Sequence, residues 1–172
     1  MIRNNKFLIA AGAAALSAGI YTSAVSAASI TANTSARVIQ GLTIAEDNGG
    51  LNFGDVSESG AGTVVMTPGG ARSATAGADI LAGGGEQAGQ YTITGADGKA
   101  YTLTLPGPLG IVITETLGGV ATMTVTNFQQ TGSTGTASAA GETMNVGATL
   151  NIGAGQLVGT YQGTYSITVN YN

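Results

Sequence analysis

Acidic side chains are the main groups in this sequence that could support catalysis. The acidic pairs closest in sequence are Glu46 with Asp47 and Asp55 with Glu58. The chain has no His and no Cys, and it contains no Gly-x-Ser-x-Gly motif, so the usual bases and nucleophiles of hydrolases are missing. A glycosidase needs one of its two carboxylates in an apolar cleft, and aromatic residues make up only 5 % of the chain. We therefore predict no catalytic residues and no enzymatic activity.

Oxygen-bearing side chains at one turn could bind a metal ion. Glu46, Asp47 and Asn48 precede a Gly-Gly pair, but they lack the alternating spacing of an EF-hand loop. Asp and Asn are also the residues that favour turns, so the sequence favours a turn and leaves a weak calcium site as the alternative. The glycines at 83–85 are not followed by Lys-Ser/Thr, so a phosphate-binding loop is not indicated. No cofactor and no metal are predicted.

The charge of the chain restricts its partners. Its formal net charge is −4, and charged residues make up 8 % of it. Nucleic acids and anionic lipid surfaces are bound by clustered Lys and Arg, which are missing here, so a nucleic-acid partner is not expected. Without Cys the chain forms no disulfide, and packing or contact with neighbouring chains must stabilise it.

The N-terminus resembles a secretory signal peptide. Arg3 and Lys6 precede an apolar, Ala-rich run at 7–18, and small residues follow at 25–27. The apolar run is shorter than a membrane-spanning helix requires, which disfavours an uncleaved anchor. We predict a signal peptide over 1–27, cleaved after Ala27 or after Ala28, and export through the inner membrane.

Alternation of apolar and polar residues dominates the rest of the chain and predicts an all-β, immunoglobulin-like sandwich of seven to nine strands. Asp97-Gly98 between the alternating runs 90–94 and 100–105 indicates a β-hairpin. A second pair, 109–116 and 120–128, is expected to turn at Gly118-Gly119. Further strands are predicted at 51–56, 62–67, 72–76, 80–82 and 144–152, with Gly54 relieving a bulge or allowing another backbone to approach.

The two ends of the mature chain have complementary patterns. At the C-terminal end Tyr165, Ile167, Val169 and Tyr171 alternate with polar residues, which predicts a strand with one buried face. Because this strand ends one residue before the end of the sequence, we expect its edge to stay open for docking. The N-terminal segment has the same alternation. It is formed by Ile30, Ala32, Thr34, Ala36 and Val38, and Leu42 and Ile44 continue it. Alternation alone leaves open whether 30–38 is an ordinary first strand or a strand added to another copy.

Two sets of residues carry a resemblance to known families. Gly159, the alternating residues after it and the penultimate Tyr171 resemble the C-terminal signature of chaperone–usher pilins. The segments 51–56, 95–106 and 159–171 also resemble the bacterial domain-of-unknown-function family 4402 (DUF4402), which is similar to archaic, spore-coat-U-like pilins. Many such pilins carry a disulfide, whereas this chain has no Cys.

The resemblance implies an incomplete pilin-like sandwich over 42–172, preceded by an N-terminal extension over 28–41. The extension would supply the donor strand, and the acceptor edge, bound first by a periplasmic chaperone, would comprise Gly159, Tyr165, Ile167, Val169 and Tyr171. The implied function is that of a surface-fibre (pilus or fimbria) subunit, assembled head to tail by donor-strand exchange at an outer-membrane usher, with a role in adhesion or biofilm. The alternatives from the residues are a monomeric secreted ligand-binding module and, less favoured, a small outer-membrane β-barrel.

Overall fold

The computed structural model describes residues 27–75 and 77–172, without the side chain of Glu58. The predicted signal peptide lies outside the described residues except for Ala27. The folded domain is the unit Val38–Asn172. Residues 27–41 are exposed and belong to no strand. No helix in the described part of the chain is long and apolar enough to cross a membrane.

The domain consists of β-strands joined by turns rich in glycine. The twelve strands are β1 Thr43–Glu46, β2 Val56–Glu58, β3 Gly62–Met66, β4 Arg72–Ala74, β5 Ala78–Ile80, β6 Gly89–Thr94, β7 Tyr101–Thr104, β8 Ile111–Glu115, β9 Thr122–Thr131, β10 Glu142–Ile152, β11 Tyr161–Gln162 and β12 Thr168–Tyr171. They confirm the all-β prediction, with antiparallel sheets as in a β-sandwich.

The central strand of the main sheet is β10. The main sheet has the order β1-β6-β10-β9-β8-β11, and β3, followed by β4, lies beside the second half of β10. The first half of β10 pairs with β6, and the register against β9 shifts between Gly147 and Thr149. Gly147 has no room for a side chain, because a Cβ there would lie 2.2 Å from the carbonyl oxygen of Met66. This crowding explains a glycine in a central strand.

Two small antiparallel sheets, β7 with β12 and β2 with β5, complete the domain. Apolar side chains form two core clusters, and β10 contributes to both. Leu150 and Ile152 pack in the first cluster, whereas Met144 and Val146 pack in the second with Tyr91, Ile93 and Tyr101. Alternation along a single long strand thus supplies both halves of the core.

The hairpin predicted around Asp97-Gly98 is wrong, although its turn is real. Gly98 has a φ of +72°, as such a turn requires. However, β6 pairs with β1 and β10, whereas β7 pairs with β12, so the chain crosses between sheets at this turn. Both edges of β6 are already occupied, which leaves none for β7. The second predicted hairpin is confirmed, because β8 and β9 pair directly.

Two predicted strands are shorter than the alternation indicated. The pattern that runs from Ile30 to Ile44 yields only β1, because residues 27–42 lie in no strand. The strand predicted at 51–56 is also wrong: Asn52 forms an isolated bridge with Gln87, and regular pairing begins at Val56. Along 30–42 no strand of the described chain pairs with the backbone, whereas along 51–56 the backbone bonds to Gln87, Gly83 and Leu81 are isolated and form no regular ladder before Val56.

Candidate functional site: a cleft along the C-terminal segment

A long cleft lies between the first part of the domain and its C-terminal segment. Its main part has a volume of about 920 Å3 and runs between the stretch 49–56 and the stretch 159–165. A recess of about 350 Å3 continues it between β1 and residues 163–167. The two parts share Leu51 and Tyr165 among their lining residues. We call the two together the lateral cleft.

The floor of the lateral cleft is made of core side chains. The floor residues, from β8, β9 and β10, are Ile111, Ile113, Met123, Val125, Phe128 and Leu150. Val125 and Leu150 belong to the first core cluster, and the partly buried Ile111, Ile113 and Phe128 pack against it. The hydrophobic core is therefore reachable from solvent along this side, which is the property of a site for an apolar partner.

Open backbone edges border the lateral cleft. In the described part of the chain β1, which lines the recess, pairs only with β6, and β11, which lines the main part, pairs only with β8. Residues 163–167, which join β11 to β12 along the cleft, lie in no strand. Unpaired strand edges beside an apolar floor are able to accept an additional strand, with main-chain hydrogen bonds on both sides.

The wall at 51–56 is shaped by side-chain to backbone hydrogen bonds. Asn52 and Gln87 exchange two backbone hydrogen bonds of 2.9 Å. The amide of Asn52 donates to the carbonyl oxygens of Gly84 and Gly85, and its Oδ1 accepts from the backbone N–H of Gly54 at 2.8 Å. Gly54 has a φ of +71°, and the carbonyl oxygen of Gly83 lies 3.0 Å from the place of its missing Cβ. The close approach expected at Gly54 is thus confirmed.

Arg72 fixes this wall from behind. Its side chain is 7 % exposed and donates to the carbonyl oxygens of Phe53 at 2.7 Å and Leu81 at 2.8 Å. It also forms an ion pair of 2.8 Å with Glu86. A buried guanidinium needs such partners, and here the partners are the backbone of the wall itself. Sequence reasoning missed Arg72, and only its being one of five basic residues could have suggested it.

The opposite wall starts at Gly159, which lies against Glu115 at the end of β8. The Glu115 side chain accepts hydrogen bonds from the backbone N–H groups of Leu117, at 2.8 Å, and Gly118. These hydrogen bonds stabilise the carboxylate and lower the pKa of Glu115 below its usual value. Glu115 thus organises the β8–β9 turn and supports the start of the wall.

Tyr165 occupies the middle of the lateral cleft, where its main part meets the recess. Its hydroxyl hydrogen-bonds to that of Tyr91, and its ring packs edge-on to Tyr91 and at 5.1 Å from the ring of Phe128. A Cβ at Gly89 would lie 2.7 Å from the Tyr165 hydroxyl, which explains that glycine. Burial raises the pKa of Tyr91 and the pKa of Tyr165, so both stay neutral hydrogen-bonding groups at physiological pH.

Four of the five predicted acceptor residues lie together, on one face of the C-terminal segment. Tyr165, Ile167, Val169 and Tyr171 are half-buried, and each residue between them is exposed, as the alternation predicted. These four pack against the second core cluster, whereas Gly159 lies in the opposite wall of the main cleft. Of these four residues, Val169 and Tyr171 lie in strand β12, whereas Tyr165 and Ile167 precede it.

The predicted donor residues show the opposite environment. Ile30, Ala32, Thr34, Ala36 and Val38 are all exposed and lie in no strand, with Ile30 and Val38 94 % and 96 % exposed. Ile30 and Val38 are thus the two large aliphatic side chains of this face, and the described chain does not cover them.

The side chains of Asp47 and Asn48 are engaged in hydrogen bonds with other parts of the domain. Asp47 accepts a hydrogen bond of 2.8 Å from Thr92, and Asn48 bonds to the backbone of Ala88 and Gln90. These are long-range bonds that attach residues 47 and 48 to β6 and the residue before it, not the short-range bonds of a turn. In the ranges that the structure describes, no three His, Cys, Asp or Glu residues are grouped to hold a metal ion.

The fold and the cleft define a class, an antiparallel β-sandwich whose core is open beside its C-terminal segment. Within this class the chain belongs to the family described as Domain of unknown function (DUF4402), whose model matches residues 42–171. This confirms the family named from the sequence motifs. No curated protein and no solved structure matches the chain significantly.

Proposed function

We propose that the protein is the structural subunit of a surface fibre and polymerises by donor-strand exchange, with the 30–38 segment of one copy entering the lateral cleft of the next. The observation that carries this proposal is the cleft itself, an apolar groove in the core bordered by unpaired backbone. Its proposed occupant has the required pattern, with an apolar or small side chain at every second residue.

The lengths of the two partners match. The segment 30–38 has as many residues as 159–167, the stretch that borders the cleft and its recess. Fully extended, each spans about 30 Å at roughly 3.3 Å per residue. One donor strand is therefore long enough to run along this whole stretch of the lateral cleft.

The energetics favour a long-lived joint. Burying Ile30 and Val38, which are almost fully exposed, would contribute about 1.5–3 kcal/mol each. Each new main-chain hydrogen bond would add roughly 1 kcal/mol net. A ladder on both sides of the donor then exceeds all but the largest estimates of the cost of association, which run from about 4 to about 15 kcal/mol.

The remaining parts of the proposal follow from the pilin resemblance. The subunit would be exported, held in the periplasm by a chaperone that covers the acceptor edge, and assembled by an outer-membrane usher into a cell-surface fibre. The fibre would serve adhesion or biofilm formation. A contact between two different surfaces that does not close on itself produces a filament, consistent with a head-to-tail homopolymer.

The test introduces charge on one face of the donor segment. Ile30→Asp with Val38→Asp should abolish polymers seen by electron microscopy and sedimentation, because two carboxylates would have to enter an apolar cleft. The matched control, Thr31→Asp with Ser35→Asp, adds the same charge to the positions between and should still polymerise. A synthetic peptide of residues 28–41 should bind the Ile30→Asp, Val38→Asp chain, whose cleft is intact.

Two results would overturn the proposal. One is a wild-type chain that stays a stable monomer and does not bind the peptide, which would favour the monomeric ligand-binding module. The other is equal loss of polymer in both double variants, which would mean that net charge rather than the apolar face of the donor decides assembly.

A further inference from the structure

Four exposed aliphatic side chains lie on two loops at one end of the domain. Leu117 and Val120 are on the β8–β9 turn, and Leu157 and Val158 are on the β10–β11 loop. They are 92 %, 81 %, 59 % and 103 % exposed, in that order. We call these four residues the end patch.

The two loops of the end patch are bound to each other. The backbone N–H of Thr116 donates to the carbonyl oxygen of Thr160 at 2.8 Å, and the amide of Gln156 donates to the carbonyl oxygen of Thr122 at 3.3 Å. Gly159 fits against Glu115 between them. The two loops that carry the four aliphatic side chains are therefore held next to each other, and exposed apolar side chains grouped on a supported surface mark a site of association.

The end patch lies at the Gly159 end of the lateral cleft, beside the main part of its wall. The chain's own N-terminal segment joins the domain at the other end. There the Tyr171 hydroxyl donates to the carbonyl oxygen of Gln40 at 3.0 Å, and Leu42 lies against Gly95. The two ends of the cleft thus differ, because one carries the exit of the extension and the other carries the end patch.

This difference sets the direction of a donor strand. If the donor strand ran parallel to 159–167, its Val38 would lie near the acceptor's own Gln40. The donor's domain would then compete for space with the acceptor's own N-terminal extension. If the donor runs antiparallel, its Val38 ends at Gly159. The donor's domain is then placed at the acceptor's end patch, and the end of the donor's domain that carries its extension faces that patch.

The link between donor and domain is too short to hold the two domains apart. Residues 39–41 join Val38 to Leu42, and these four steps span at most about 14 Å. We propose that the domain of the donor copy docks on the end patch of the acceptor copy, so that successive domains are held against each other as well as joined by the donor strand. This rests on the proposed function.

The chemistry of the end patch suits a second copy. In the loops 115–121 and 153–160 the sole ionisable side chain is Glu115, which is 9 % exposed and accepts hydrogen bonds from the turn. The end patch therefore presents no charge to a partner. The residue that leaves the cleft directly after the donor is the aliphatic Ile39, which is 39 % exposed in the free chain.

The first test removes the apolar character of the end patch in the full chain. Leu117→Ser with Val158→Ser should leave binding of the 28–41 peptide within about twofold of wild type, because the lateral cleft is untouched. The protein concentration needed for polymer should rise about tenfold or more, since partial burial of two aliphatic side chains would be lost. The matched control is Leu109→Ser, which alters a side chain equally exposed, at 92 %, at the opposite end of β8.

The second test uses the absence of cysteine from the chain. Copies carrying Val158→Cys are mixed with copies carrying Ile39→Cys and treated with a short bis-maleimide. The expected product is a cross-linked heterodimer that joins the two substituted positions, identified by mass spectrometry. Leu109→Cys mixed with Ile39→Cys should not cross-link above background.

The outcomes separate this inference from the proposed function. Peptide binding and polymer formation in the Leu117→Ser, Val158→Ser chain equal to those of wild type would overturn the docking role of the end patch while leaving donor-strand exchange standing. Loss of peptide binding in that chain would also overturn it, because the end patch would then act on the cleft. A wild-type chain that neither binds the peptide nor polymerises would remove the proposed function and the inference together.

Discussion

Gly159 and Glu115 fit together so closely that a side chain on Gly159 has no space. A Cβ built there would lie 2.8 Å from Cγ and 3.0 Å from Oε1 of Glu115. The φ of Gly159 is not positive, so the constraint is space and not backbone conformation. This contact attaches the start of the cleft wall to the β8–β9 turn, and it gives a physical reason for a glycine at this distance from the C-terminal strand.

Gly159→Ala should therefore destabilise the domain by about 1–3 kcal/mol, because the added methyl group must displace a buried carboxylate. The measurement is the free energy of unfolding by urea. Gly107→Ala is the control, since nothing lies within 4 Å of its Cβ position and its φ is not positive. Equal stability of the two variants would show that Glu115 moves aside without cost.

Glu115 should make stability depend on acid pH. Its pKa is lower in the folded chain than the usual 4.5, so its carboxylate contributes stability above pH 4.5 that is lost as the pH falls through the folded value. Glu115→Gln keeps the size of the side chain and removes the titration. Thermal unfolding from pH 6 to pH 3 should show a smaller fall in Tm for Glu115→Gln than for wild type, whereas parallel curves would contradict this.

Glu142 should contribute in the same direction, so its variant is a useful comparison. Burial alone would raise the pKa of Glu142, but hydrogen bonds from Tyr101 and Thr134 outweigh it and lower the pKa. Stability from Glu142 is therefore also present above the usual value and lost below it. Glu115→Gln and Glu142→Gln together should flatten the acid limb more than either change alone.

Arg72→Met should open the wall at 51–56. The change leaves the carbonyl oxygens of Phe53 and Leu81 without their donor and Glu86 without its ion pair, at a cost of about 3 kcal/mol. Hydrogen exchange should rise first at residues 52–56. Lys99→Met, which removes an exposed cation, serves as the control and should stay within about 0.5 kcal/mol of wild type.

Tyr91 and Tyr165 should be energetically coupled through their hydroxyl groups. A double-mutant cycle with Tyr91→Phe and Tyr165→Phe should give a coupling energy of about 1 kcal/mol, because each single change already breaks their shared hydrogen bond. Additive effects would show that the two hydroxyl groups find other partners in the single variants. The affinity of the same variants for the 28–41 peptide would show whether the hydrogen bond between Tyr91 and Tyr165 affects peptide binding.

The local pattern predicted most strands but not all of their partners. The hairpin predicted for β8 and β9 is confirmed, because the Gly-Gly turn brings the two strands together and each still has an edge for the other beside its second neighbour, β11 for β8 and β10 for β9. The same logic failed at Asp97-Gly98, since β6 already has β1 and β10 as neighbours from distant parts of the chain. A turn signal fixes where the backbone reverses, whereas the choice of partner depends on which edges remain free.

The candidate site was predictable in part for the same reason. The face formed by Tyr165, Ile167, Val169 and Tyr171 follows from alternation, which is a property of the strand itself. The lateral cleft does not follow from it, because Arg72 and Glu115, which support its walls, and Tyr91, which lines its recess, come from separate strands. Their roles depend on distances between residues far apart in the sequence.

The sequence by itself determined the all-β class, the family, the buried face of the C-terminal segment and the lack of the usual catalytic groups. Those properties depend on residue type and short-range spacing, which act before any long-range contact forms. Only the tertiary structure decided that, within the described residues, β1 and β11 each keep an open edge and that core side chains line the cleft beside them. That outcome is a balance of packing over the whole domain, in which each strand edge is either paired by another part of the chain or left for a partner.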